Sequence, residues 1–213
     1  MIDIIGEGKT DVPQEEKPHP PDQGVVPILV SKLCGQPKHL FVRTRQSQIP
    51  FLIQKNSLAQ KVRFARRQAR ISQSAGLVFV VDSDGDWKGK YTELAKGRDM
   101  DQVPEFPTAL GVAHPRVEAR LLADADAIRR AFGLPQTPAI PERPEALPAS
   151  KKDKNHPKNV LKAAAGKSKV LSAEEKTQIA GKMTDTDLLK QRCQMNFAPF
   201  AKEVEDRIRP LFQ

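Results

Sequence analysis

The segment VFVVDSDGDW, residues 78–87, places Asp82, Asp84 and Asp86 at alternate positions directly after an apolar run. Carboxylates that converge in this way repel one another and call for a cation between them. Hard oxygen donors suit Mg2+ or Mn2+ rather than zinc. A further acid, Glu7, stands between Gly6 and Gly8 in IIGEGKTD, residues 4–11, and it too follows a short apolar run. The flanking glycines let a metal or a substrate come close to the backbone. Glu7, Asp82, Asp84 and Asp86 are therefore the expected metal ligands. One or two ions held there would activate water and stabilise the leaving oxygen at a phosphodiester.

Other chemistries are open to the same residues. GKT at residues 8–10 suggests a phosphate-binding P-loop, but that loop needs a glycine five positions before Gly8, where Asp3 stands. A calcium loop counted from Asp82 would end on Glu93 at its twelfth position, yet a preceding strand does not suit a helix–loop–helix frame. Haloacid-dehalogenase-type phosphatases also carry DxDG after a strand. Asp82 would then be the nucleophile and Asp84 the acid, although Asp86 stands where that motif usually has Thr or Val. A phosphatase or phosphotransferase using Asp82 covalently stays as an alternative. So does an acidic turn without chemistry.

These acids need elements that bring them together. Residues 1–5 read as a buried first strand, and residues 77–81, apolar and β-branched, as a strand covered on both faces. Residues 39–43 are a candidate second strand and 108–113 a weaker further one. A helix is expected over 25–34, with Pro27 in its first turn and Gly35 as its stop. Another spans 57–72, where Leu58, Val62, Ala65 and Ala69 recur at helical spacing. Helical patterns also cover 92–95 and 115–132, the latter stopped by Gly133. Strands alternating with helices predict an α/β fold with a largely parallel sheet. Ligands bind such sheets at the carboxyl ends of the strands, where both acidic segments fall. Residues 13–23 and 133–150 are Pro-rich loops. Beyond them only helices are expected, over 157–165, 172–183, 185–193 and 199–211. Ser172 and Glu175 form a capping box.

The formal net charge is +9 and the pI about 9.6. From residue 23 to 81 there is no Asp or Glu, whereas ten Lys and Arg side chains fall there. An uncompensated cationic stretch fits a polyanionic partner. Lys9, Arg43, Arg45, Arg63, Arg66, Arg67 and Arg70 are the expected contacts to a nucleic-acid backbone, in a sequence-independent and salt-sensitive manner. Lys88 and Lys90, after the aspartates, are placed to neutralise a phosphate. His114 reads as a helix cap or a structural residue, and Cys193, Phe197 and Phe200 as packing. Cys34 and Cys193 match no metal spacing and are expected to be free thiols in a reducing compartment. No apolar run approaches the roughly 20 residues that span a bilayer. The first residues carry no signal-peptide pattern, so a cytoplasmic location is expected.

A Glu after one strand and a DxD after another resembles the Toprim domain, the metal-binding fold of topoisomerases, primases and OLD-type nucleases. HPRVEARLLADADAIRRAFG, residues 114–133, resembles the EAWLLAD segment of the Toprim-like family DUF4276. LLKQRCQMNFAPFAKEV, residues 188–204, resembles that family's closing RC-x-x-F region. The matching segments together span nearly the whole chain.

The resemblance implies a Toprim-like α/β core over residues 1–133, a Pro- and Lys-rich linker over 134–155, and a helical extension over 156–213 packed on the core. It implies Glu118 as an acidic ligand for a second metal; a carboxylate that only complements a helix dipole is the alternative. Arg120 departs from the family's Trp and is expected to meet a phosphate or to face solvent. The implied function is a divalent-metal-dependent nuclease acting on DNA or RNA. Tyr91, the single tyrosine, follows the aspartates closely, which disfavours topoisomerase chemistry. Some relatives look like effectors in anti-phage defence paired with an ABC-type ATPase. This sequence has no ATPase motif, so that partner would be a separate protein. A non-catalytic nucleic-acid-binding subunit is the remaining alternative, and a homodimer is compatible with the resemblance.

Overall fold

The apolar runs that read as strands join into one sheet. In this computed structural model residues 1–6, 24–37, 40–45, 55–100 and 106–213 are described. Strands β1 (Ile2–Gly6), β2 (Phe41–Arg45), β3 (Gly76–Asp82) and β4 (Thr108–Ala113) pair in the order β2-β1-β3-β4, every pair parallel. The described helices are α1 (Val25–Cys34), α2 (Leu58–Ile71), α3 (Trp87–Asp99), α4 (Val117–Leu121), α5 (Ala125–Phe132), α6 (Pro157–Ala164), α7 (Ala173–Lys182), α8 (Thr186–Arg192) and α9 (Phe197–Arg207).

Successive strand side chains point to opposite faces of a sheet. Ile2, Ile4, Val78, Val80, Ala109 and Ala113 enter one core, with α1, α4, α5 and α9. Ile5, Leu77, Phe79, Val81, Leu110 and Val112 enter the other, against α2 and α3. All of these side chains are buried, so β3 is covered on both faces as its unbroken apolar run predicts. The α2 stripe behaves as expected: Val62, Ala65 and Ala69 are buried. Ser57 opens that helix with a capping box to Gln60.

Two elements differ from the sequence reading, and the helix expected to begin at or to contain 92–95 is found with its start set farther back. The second strand lies two residues later than expected, at Phe41–Arg45. Helix α3 begins at Trp87, because the Asp86 carboxylate accepts from the Gly89 N–H at 2.9 Å and caps it. The helix expected over 115–132 is two helices. Asp124 accepts from the Ala127 N–H at 2.8 Å and restarts the chain as the cap of α5. A short acidic side chain that satisfies the first turn of a new helix competes with continuing the old one.

The C-terminal helices share the first core. Leu161, Ile179, Leu189, Phe197, Val204 and Ile208 are buried in one cluster with Ile2 and Ile4. Helix α9 lies on β4, where Gly111 leaves the room: a Cβ there would stand 2.6 Å from the Phe200 ring. Arg120 meets neither phosphate nor solvent. It is 1% exposed, its guanidinium lies 4.8 Å from the Phe200 ring and 5.6 Å from Phe197, and its Nη2 donates to the Val112 carbonyl at 3.2 Å. A planar cation between aromatic faces can fill the place of a large ring. Both cysteines are free and buried, and burial pushes Cys34 up to about 11 and Cys193 up to about 12. Among the described residues no helix is long and apolar enough to cross a membrane.

Helices α2 and α3 approach closely through Gly97. A Cβ there would stand 2.4 Å from the Ala59 carbonyl oxygen. Backbone cannot rotate aside as a flexible side chain can. Gly97→Val is therefore expected to cost roughly 2–3 kcal/mol by overpacking, read as a lower Tm in a thermal melt. An unchanged Tm would show that the two helices separate freely.

Candidate metal centre

Strand β3 hands its last residue, Asp82, to the carboxyl edge of the sheet. The chain runs from β1 to β2 on one side and β3 lies on the other, so the strand order reverses at the β1/β3 boundary, the place where open parallel sheets bind ligands. Gly6, the last residue of β1, is in register with Val80, and Asp82 is in register with Ala113 of β4. Glu7 and Lys9, which follow β1 in sequence, lie outside the described residues.

A tight turn brings Asp84 back beside Asp82. Asp84 has φ +48° and Gly85 φ +103°. Asp tolerates the left-handed region better than most residues, and Gly enters it freely. The turn is anchored by Ser83, which is fully buried. Its N–H donates to the Ala113 carbonyl at 2.9 Å, its Oγ lies 2.8 Å from His114 Nδ1, and the Gly85 N–H donates to its Oγ at 3.2 Å. His114 thus ties the ends of β3 and β4 together, and burial lowers its pKa. It does not cap α4; Arg116 occupies that position.

Two cations close the site. Arg116 Nη1 donates to Asp82 Oδ2 at 2.6 Å, and its Nη2 donates to Asp84 Oδ1 at 2.5 Å. Lys90, one turn into α3, donates to Asp84 Oδ2 at 3.0 Å and to the Asp82 carbonyl at 2.6 Å. Partial burial pushes the Asp84 carboxyl up, but the hydrogen bond and charge of Lys90, with the charges of Arg116 and Lys151, outweigh it and hold the group below its usual range. For Arg116 burial works against the charge, and Asp82 and Asp84 more than compensate, so its pKa is raised.

The donor chemistry fits a small divalent ion. Two hard carboxylate oxygens from different residues already converge on one positive group. Mg2+ is commonly held by one or two carboxylates while keeping its waters. Asp82 and Asp84 are the described residues that would hold it. Among the described residues no group of three or more His, Cys, Asp or Glu side chains could hold a metal ion.

The other expected ligands are directed elsewhere. Asp86 caps α3, as described above. Glu118 is 2% exposed and accepts from Lys176 Nζ of α7 at 2.7 Å, with Lys158 Nζ at 3.9 Å. Arg116 interacts with the charge of Glu118 as well as with the two aspartates. Glu118 and the aspartates therefore share a cation rather than a cluster. Tyr91 is committed too. Its hydroxyl donates to Glu203 at 2.7 Å, and burial together with that carboxylate pushes it up to about 12.

The expected nucleic-acid contacts divide. On α2, Arg67 and Arg70 are exposed and Arg63 is half-buried. Arg66 is buried and its Nη1 donates to the Arg98 carbonyl of α3, so it braces the helix pair instead of facing a partner. Arg43 and Arg45 lie on β2. Lys88 is exposed, 5.5 Å from the Trp87 ring, while Lys90 is drawn into the aspartate site. Arg116 received no role from the sequence. Its one signal was position: a cation in HPR, directly after the apolar run of β4 and therefore at the same sheet edge. No family model, no curated protein and no solved structure matches this chain.

Proposed function

We propose that this chain is a divalent-metal-dependent nuclease of Toprim type, cleaving phosphodiester bonds in DNA or RNA. The observation that carries the reading is the convergence of Asp82 Oδ2 and Asp84 Oδ1 on one cation at the carboxyl edge of a parallel sheet, beside its β1/β3 switch point. The resemblance of residues 4–11, 78–86, 114–133 and 188–204 to the DUF4276 pattern supports the same reading, and Glu7 is its further acidic donor. A bound Mg2+ or Mn2+ supplies Lewis-acid stabilisation of charge at the phosphodiester. Asp82 and Asp84 hold that ion. Lys90 fixes the turn between them through the Asp82 carbonyl and Asp84 Oδ2. Exposed Arg67 and Arg70 on α2, with Lys88 on α3, take the polynucleotide backbone. By the resemblance, the activity belongs to an anti-phage effector with a separate ABC-type ATPase as partner.

The test is a panel of plasmid, single-stranded DNA, tRNA and p-nitrophenyl phosphate, each with Mg2+ or Mn2+. Cleavage of a polynucleotide is expected, abolished by EDTA and weakened steeply by added salt. Hydrolysis of the phosphomonoester alone would overturn the reading in favour of a phosphatase using Asp82. Binding of polynucleotide without cleavage would make the chain a non-catalytic subunit.

A further inference from the structure

Arg116 makes an arrangement that neither a simple salt bridge nor a simple cap requires. Its two terminal nitrogens go to two different carboxylates, one to Asp82 and one to Asp84. A guanidinium bound for its own stability more often pairs both nitrogens with a single carboxylate. Here it bridges the aspartates as a metal ion would. Its Nε is buried and has no hydrogen-bond partner, so part of its donor capacity is unused. Its backbone, at φ −160° and ψ 169°, is extended and directly precedes α4, and its side chain is 15% exposed at the sheet edge. With Lys90 it sets two cationic side chains in direct contact with the two aspartates.

We infer that Arg116 is an exchangeable counter-ion: it neutralises Asp82 and Asp84, yields their oxygens to a divalent cation, and then turns its guanidinium to the substrate phosphate. This rests on the metal-dependent reading above. A cation entering the site competes with Arg116 for the Asp82 Oδ2 and Asp84 Oδ1 positions. The displaced guanidinium stays beside the ion, because Arg116 is fixed at the sheet edge next to β4. Its planar fork matches two phosphate oxygens. Arg116 is thus a positioning residue for metal entry and a phosphate contact afterwards. The basic stretch steers polynucleotide to the protein; Arg116 would bind only where a metal has already replaced it. Metal loading and phosphate capture are thereby coupled through one side chain.

The experiment titrates Mn2+ into the full chain by calorimetry, comparing wild type with Arg116→Gln, Arg116→Lys and a distant control, Arg129→Gln. Arg129 is half-exposed and pairs with Asp126 on its own helix. Arg116→Gln removes the competing charge, so Mn2+ is expected to bind about tenfold more tightly, the scale of one nearby charge screened by solvent. Arg116→Lys keeps the charge and is expected to restore a Kd near that of wild type; Arg129→Gln should not change it. At saturating Mn2+, Arg116→Gln should still cleave more slowly, since the phosphate contact is gone. If Arg116→Gln binds Mn2+ as wild type does, or more weakly, the inference is overturned while the metal reading stands. If neither wild type nor Arg116→Gln binds Mn2+, the metal reading fails and takes the inference with it.

Discussion

Asp84→Asn is expected to lower metal-dependent polynucleotide cleavage about a thousandfold, equivalent to roughly 4 kcal/mol of transition-state stabilisation. The substitution is close to isosteric, so what it removes is charge. Asn also tolerates positive φ, and the turn at φ +48° should survive. The ion pairs lost, to Lys90 and Arg116, involve a side chain that is 49% exposed. Such pairs contribute at most about 1 kcal/mol to stability. The expected result is therefore a large loss of cleavage beside a nearly unchanged thermal melt. Asp82→Asn should lose at least as much activity. A cleavage rate for Asp84→Asn within threefold of wild type would remove Asp84 from the site.

Glu118→Gln is expected to have the opposite balance, a large loss of stability. Glu118 and Lys176 side chains are 3% and 6% exposed and stand 2.7 Å apart. Removing one member of a buried pair leaves the other charged and desolvated, which costs about 3–5 kcal/mol. For a chain of this length that corresponds to a fall in Tm of roughly 10 °C. Replacing both by apolar residues, Glu118→Leu with Lys176→Met, should recover most of the loss, because the desolvation penalty of both charges disappears together. If the double variant melts near wild type and still cleaves, Glu118 serves the packing of α4 on α7. If it melts near wild type and does not cleave, the acidic group itself is needed for the chemistry.

The strands were legible because their apolar runs are short, β-branched and bounded by turn residues. Leu77 to Val81 could hardly be anything but a doubly covered strand, and Asp82 then had to fall at its carboxyl end. The left-handed turn at Asp84 and Gly85 that brings Asp84 back beside Asp82 comes from the backbone and had no reading of its own in the sequence. The helix break at Leu122 and Ala123 was not, because LLADADAI keeps its apolar spacing straight through it; only the Asp124 cap decides, and capping is a contest between local options. Charge composition pointed to a cationic stretch but could not sort its members. Arg66 and Arg67 are neighbours in sequence and helical geometry sends one inward and the other outward. The partner of Glu118 was invisible for a different reason: Lys176 lies 58 positions away on another helix, and nothing local marks it. Arg116 was hidden in plain view, one cation among many until the fold placed it between two aspartates.

The most direct test of the central claim is a Mn2+ titration of wild type against the Asp82→Asn/Asp84→Asn double variant, followed by calorimetry. Saturable binding by wild type that disappears in a folded double variant is the expected result. Equal binding by both proteins, or none by wild type, would contradict the assignment of this aspartate pair as the metal centre.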